Sequence, residues 1–188
     1  MKKIILTLAV VAFISAGLNA QVKFGVKAGW NLENFDINNN VGTQLQKENV
    51  VSWDLGVVAQ LHLSGDLYLQ PEIVYSSQKI DVVAEELGKQ KISYFQVPVS
   101  LLYKYKPTDL FGIFGSVGAY FGYAVDRNNL SLNALRKTDW GVSLGAGVEV
   151  WKLQLHARYN WALENISDVP NIEWKNNRFN VALSFFIF

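Results

Sequence analysis

Cysteine is absent from this chain of 188 residues, and proline occurs only four times, histidine twice and methionine once. Without cysteine there is no disulfide framework, no thiol nucleophile and no residue to carry an N-terminal lipid. With two histidines far apart in sequence, a zinc site also lacks its usual ligands. No surplus of one charge exists either, since seventeen basic side chains face sixteen acidic ones. That balance argues against a nucleic-acid partner, which selects a basic face. After the N-terminal segment no apolar run approaches the roughly 18 residues of a membrane helix.

What is present starts with export. Met1-Lys2-Lys3 forms a short basic region, Ile4 to Ile14 is an apolar run, and Leu18-Asn19-Ala20 precedes Gln21. This order is that of a cleaved secretory signal peptide over 1–20, which leaves a single domain over 21–188. Cleavage removes Lys2 and Lys3 and leaves a net charge of −1. Half the residues are hydrophobic, and six tryptophans, eight tyrosines and eleven phenylalanines are spread along the chain. An exported domain of this size needs a reason for so much aromatic surface.

Periodicity supplies it. Val22, Phe24, Val26, Ala28, Trp30 and Leu32 alternate with Lys23, Gly25, Lys27, Gly29 and Asn31. Trp53 to Leu63, Leu67 to Tyr75, Phe95 to Tyr105, Trp140 to Val150, Leu153 to Leu163 and Phe179 to Ile187 repeat the two-residue period. Such alternation puts all apolar groups on one face of a strand. In the glycine-rich segment Leu110 to Val125, the outward face is assigned to Ile113, Val117, Phe121 and Tyr123. Eight strands result, joined by connections near 33–50, 64–66, 80–91, 107–109, 126–138, 151–152 and 165–176. Long and short connections alternate throughout. The expectation is an all-β fold, an eight-stranded antiparallel up-and-down transmembrane β-barrel with short turns at one end and long loops at the other.

The aromatics sort by height in the same scheme. Trp30, Trp53, Trp140 and Trp161 fall near the long-loop end, and Tyr103 and Tyr105 near the turn end. Two girdles at the two interfaces are what amphipathic rings prefer. If the N-terminus starts in the periplasm, the long loops are external.

The inward face collects polar residues, chiefly Lys27, Glu72, Glu149, His156, Arg158 and Glu164. A barrel of eight strands is just wide enough for its own side chains to fill it, so these groups are expected to pair into a plugging network. Glu149 and Arg158 lie on neighbouring strands and are expected near each other, with Glu72 and Lys27 on the far wall. Gly141, Gly145 and Gly147 would leave room for large neighbours such as Tyr120 and Arg158. No nucleophile motif surrounds either histidine, and Glu72 and Glu149 lie on strands that are not neighbours, so no enzyme is expected. Asp36 to Gly42 approaches calcium-loop spacing, but its glycine comes one position late and Lys47 stands where the closing glutamate belongs. No metal and no cofactor are expected.

Several stretches also carry a family likeness. Gly25 to Asn31, Leu69 to Ser76, Tyr94 to Tyr105, Gly141 to Glu149, His156 to Trp161 and the Phe-terminated final strand resemble the porin-family outer-membrane β-barrel domain, the group that includes the PorT-like proteins. The likeness implies an outer-membrane location and the barrel fold. The outward register ends on Ile187, one residue before Phe188, whereas this family's chains commonly end on an aromatic in register. The expected partners are outer-membrane lipid, the barrel-insertion machinery and an unidentified envelope or surface protein, for a monomer. The expected role is structural or binding, through the external loops. A narrow pore for small solutes and an accessory part in protein secretion stand as alternatives.

Overall fold

The computed structural model describes residues 22–39, 49–81, 89–127, 138–163 and 172–187. They form one closed antiparallel barrel, β1 (Val22–Asn39), β2 (Asn49–Ser64), β3 (Leu67–Asp81), β4 (Lys89–Tyr105), β5 (Phe111–Arg127), β6 (Thr138–Val150), β7 (Leu153–Ala162) and β8 (Ile172–Phe186). Each strand pairs with the next, and β8 returns to β1. Among the described residues no helix is long and apolar enough to cross a membrane. The signal segment 1–20 lies outside the described residues.

The wall is inside-out. Trp30, on the outer face, keeps 64% of its surface exposed, while Glu72, on the inner face, keeps 1%. The outer face of every strand carries exposed valine, leucine, isoleucine or aromatic side chains. In water such a surface would aggregate; in a bilayer it is the solvated side. In the glycine-rich β5, Ile113, Val117, Phe121 and Tyr123 are exposed, and Phe114 and Tyr120 point inward.

The strands run further than the apolar alternation does. Strands of 10–13 residues are what the pattern suggests, yet β1 has 18 and β4 17. The segment 33–39, read from sequence as loop, pairs with β8 as far as Asn39↔Ile172. Residues 80–81, 89–91, 126–127 and 172–176 are likewise strand rather than loop. The outward apolar phase set by Val22 to Leu32 and by Phe179 to Ile187 does not extend into 34–38 and 172–175, but backbone pairing needs no apolar side chain and continues past it. Asp36 to Asn39 are therefore extended, a conformation that does not wrap an ion. The rest of that calcium-like stretch, 40–47, lies outside the described residues.

Two prolines mark the weakest pairing. The β2–β3 ladder passes from Val58↔Glu72 to Leu61↔Leu69, and Pro71 lies in the gap. The β3–β4 ladder passes from Pro71↔Val99 to Val74↔Gln96, and Pro98 lies in that gap. Proline has no N–H to give a ladder, and a closed barrel offers no edge on which to hide it. Glu72 borders the first lapse, where it pairs with Val58, and lies within the second.

Two turns are tight. Gly65 and Trp151, each the first residue of a two-residue turn, have φ of 55° and 56°. Gly65 adopts this region freely, whereas for Trp151 it costs on the order of 1–3 kcal/mol. The Trp151 ring packs 6.4 Å from Phe185 and 5.6 Å from Lys152 Nζ, at the turn-end interface. Burial of an indole at that interface offsets the strain.

Candidate functional site

Period-two alternation turns the even residues of β3 and β7 inward, and these strands stand on opposite sides of an eight-membered ring. Glu72 from β3 and Arg158 from β7 meet across the lumen. Arg158 Nη2 donates to Glu72 Oε2 at 2.9 Å and Oε1 at 3.2 Å, and Lys27 Nζ from β1 donates to Oε2 at 2.7 Å. All three side chains are at most 3% exposed, so charge pairing must replace the lost hydration. Arg158 Nη1 also reaches Ser100 Oγ at 3.4 Å.

The triad is one end of a longer chain of hydrogen bonds. Gln70 Nε2 donates to Glu72 Oε1 at 3.0 Å, and Gln60 Nε2 donates to Gln70 Oε1 at 2.9 Å. Lys104 Nζ donates to Gln60 Oε1 at 2.7 Å and to Glu149 Oε2. The glutamines stitch β2 to β3 where Pro71 interrupts the backbone ladder. Side-chain bonds thus stand in for backbone ones.

Toward the loop end a second cluster joins the barrel seam. Asp54 Oδ2 accepts from Asn180 Nδ2 at 2.7 Å and from Asn31 Nδ2 at 3.1 Å, which links β2, β8 and β1. Asp139 Oδ2 accepts from Arg178 at 3.3 Å, and its Oδ1 accepts from Tyr120 OH at 3.3 Å. Between the two groups lies a space of about 10 Å³, room for about one water molecule. Asp54 Oδ1, Gln96 Nε2 and Asn180 Oδ1 lack a protein partner among the described residues, and all three residues line that space. One water there would accept from Gln96 and donate to the acids or amides facing it.

The site residues read from sequence fall as follows. Lys27, Glu72, Glu149, His156 and Arg158 are all buried in the interior. Glu164 lies outside the described residues. Trp30, Trp53, Trp140 and Trp161, and Tyr103 and Tyr105, are exposed on the outer wall. Trp30 stands directly opposite Trp53 in the β1–β2 ladder. Tyr159 and Trp161 pack at a tilt with ring centroids 4.8 Å apart, and Trp53, Tyr75 and Phe95 form a continuous run of rings at 6.2 and 5.3 Å.

One expected pairing is wrong. Glu149 is opposite Gln154 and Arg158 is opposite Gly145, so the two sit at different heights and bond elsewhere. Glu149 pairs with Lys104 and Arg158 with Glu72. Long side chains in a narrow barrel reach across the lumen rather than along the wall. The glycine expectation is corrected in the same way. Tyr120 does lie over Gly141, but Arg158 is not among the nearest neighbours of any of the three: His156 and Ser116 border Gly145, and Phe114 fills the space over Gly147.

Sequence reasoning missed Arg178, Asn31 and Asn180 as network members and Trp151 as a girdle residue. Arg178 shares the parity of Asn180, and that signal was available once β8 was taken to begin before Phe179. His156 Nε2 lies 2.9 Å from Ser116 Oγ, with the Phe114 ring edge-on at 5.1 Å. Both polar residues are buried in the lumen. His62 Nε2 lies 2.7 Å from the Gly65 carbonyl and serves the β2–β3 turn. Among the described residues no group of three or more metal-ligating side chains is gathered.

A closed eight-stranded wall, apolar and aromatic outside and polar inside, defines an integral outer-membrane β-barrel. The chain belongs to the outer membrane protein beta-barrel domain family, whose profile matches residues 16–168. Among curated proteins no sequence matches it. Among solved structures, Neisserial surface protein A is similar at TM-score 0.52 and 14% identity, covering 86% of this chain and 96% of its own. Outer membrane protein OprG of Pseudomonas aeruginosa is similar at TM-score 0.50 and 15% identity, covering 87% and 93%. These likenesses concern the fold.

Proposed function

We propose that this protein is a plugged outer-membrane barrel, non-catalytic and monomeric, that acts through what its long loops contact. The carrying observation is the hydrogen-bonded network from Arg158 to Glu149, which crosses the lumen, beside a space among Asp54, Gln96, Arg158 and Asn180 that holds about one water. An eight-stranded wall filled in this way has no room for a solute to pass. Its partners are then outer-membrane lipid along the wall, the insertion machinery during biogenesis, and an envelope or surface protein at the loops. A secretion accessory role, in keeping with the PorT-like resemblance, is one form such a partnership can take.

Conductance tests the plug. The refolded barrel in a planar bilayer should give no steady single-channel steps; large, stable steps would replace this reading with the narrow pore. Orientation is tested on intact cells. Single cysteines at Asn39, Glu86, Asn133 and Asp168 should react with a membrane-impermeant maleimide, and cysteines at Gly65 and Thr108 only after the envelope is opened. The reverse pattern would put the long loops in the periplasm and remove the proposed contact surface.

A further inference from the structure

We infer that the turn-end mouth of the barrel is a binding site for a phosphate group, held between Lys23 and Lys106. Glu149 is the centre of this end. Lys104, 1% exposed, bonds its Oε2 and lies 4.7 Å from the Tyr68 ring centroid, so one ammonium already neutralises the carboxylate. Two more ammonium groups nevertheless approach its other oxygen. Lys23 Nζ stands 3.6 Å and Lys106 Nζ 3.5 Å from Glu149 Oε1, both beyond hydrogen-bond length. Lys106 also shares the Tyr68 face at 5.5 Å.

Three cations on one carboxylate leave a surplus of two positive charges at an open mouth. Deeper in the lumen the signs balance, with Lys27, Arg158 and Arg178 facing Glu72, Asp54 and Asp139. Asp66 and Asp109 lie in the turns, and among the described residues neither comes within ion-pair distance of a lysine. Lys152 is engaged with the Ile187 carbonyl at 2.9 Å. The side chains of Lys23 and Lys106 are 38% and 32% exposed, so a ligand reaches them from water. A phosphate matches the surplus charge and presents several oxygens to two separate point-charge donors. A soluble phosphate and a lipid headgroup phosphate share this chemistry.

The test uses the mature barrel in a phosphate-free maltoside detergent. Inorganic phosphate is titrated calorimetrically against chloride at matched ionic strength. Saturable one-site binding to phosphate is expected, with no response to chloride. A Lys23→Gln/Lys106→Gln variant should weaken it at least tenfold, and Lys152→Gln should leave it unchanged. Both lysines are on the rim, and heat-dependent migration in SDS confirms that the variants remain folded. In nanodiscs containing phosphatidylglycerol, suppression of phosphate binding identifies the lipid as the occupant, and undiminished binding identifies a soluble phosphate. A non-saturating response, an equal response to chloride, or full binding by the double variant overturns the site.

Discussion

Glu72→Ala should destabilise the barrel by about 3–5 kcal/mol, because it leaves two buried cations facing each other without their shared anion. Lys27 and Arg158 both bond the same Glu72 carboxylate, and none of the three reaches appreciable solvent. The measurement is urea unfolding in lipid vesicles, followed by tryptophan fluorescence. Leu155→Ala is the reference, since that side chain is 46% exposed on the outer wall and its loss removes little protein packing. A third variant separates charge from shape. Changing Lys27 and Arg158 to Met together with Glu72→Leu removes every buried charge of the triad, and should recover most of the lost stability. If Glu72→Ala unfolds like Leu155→Ala, water reaches the triad and the plugged lumen is wrong.

Gly147→Ala should be among the most damaging additions of one carbon to the wall. A Cβ there would stand 2.2 Å from the Leu155 carbonyl oxygen and 2.4 Å from Phe114 Cζ. The ring could rotate away, but the carbonyl belongs to the β6–β7 ladder and cannot. Overpacking of this kind costs about 1–3 kcal/mol, and the fixed backbone neighbour puts this case at the upper end or beyond. Adding Phe114→Leu should restore only part of it. Gly115→Ala is the control: nothing lies within 4 Å of the added carbon, and it should be neutral. Equal stability of the two single variants by the same unfolding measurement would contradict the packing described for β5 and β6.

The wall was readable from sequence because a barrel imposes one rule on every strand. Val26 and Lys27, or Leu155 and His156, differ in polarity for the same reason, lipid on one side and lumen on the other. Strand ends were less readable, since past Leu32 the alternation changes phase, with apolar Phe35 and Ile37 between Asn34, Asp36 and Asn38, although the backbone pairs with β8 without a break. Lumen partners were the least readable. Arg158 and Glu72 are 86 residues apart and meet only because the ring closes. Neighbouring strands suggested Glu149 for Arg158, but strand adjacency fixes distance along the wall, not which long side chains meet across it. Trp151 was hidden for a different reason, since a tryptophan at positive φ runs against turn chemistry and is supported only by its interfacial setting.

The longest unbroken ladder among the described residues, from Gly25↔Phe186 to Asn39↔Ile172, joins the first strand to the last. Asn180 adds side-chain bonds to the Trp30 carbonyl at 3.3 Å and to Asn31 at 2.8 Å across the same joint. The longest ladder among the described residues is therefore the one with the greatest loop-closure entropy against it, and nearly the whole chain must be arranged before it can form. Hairpins between successive strands are local and form early, but they gain little alone. Closure of the ring is then the expected last step of assembly, because the β1–β8 ladder can form only after the local hairpins have set the order of the strands.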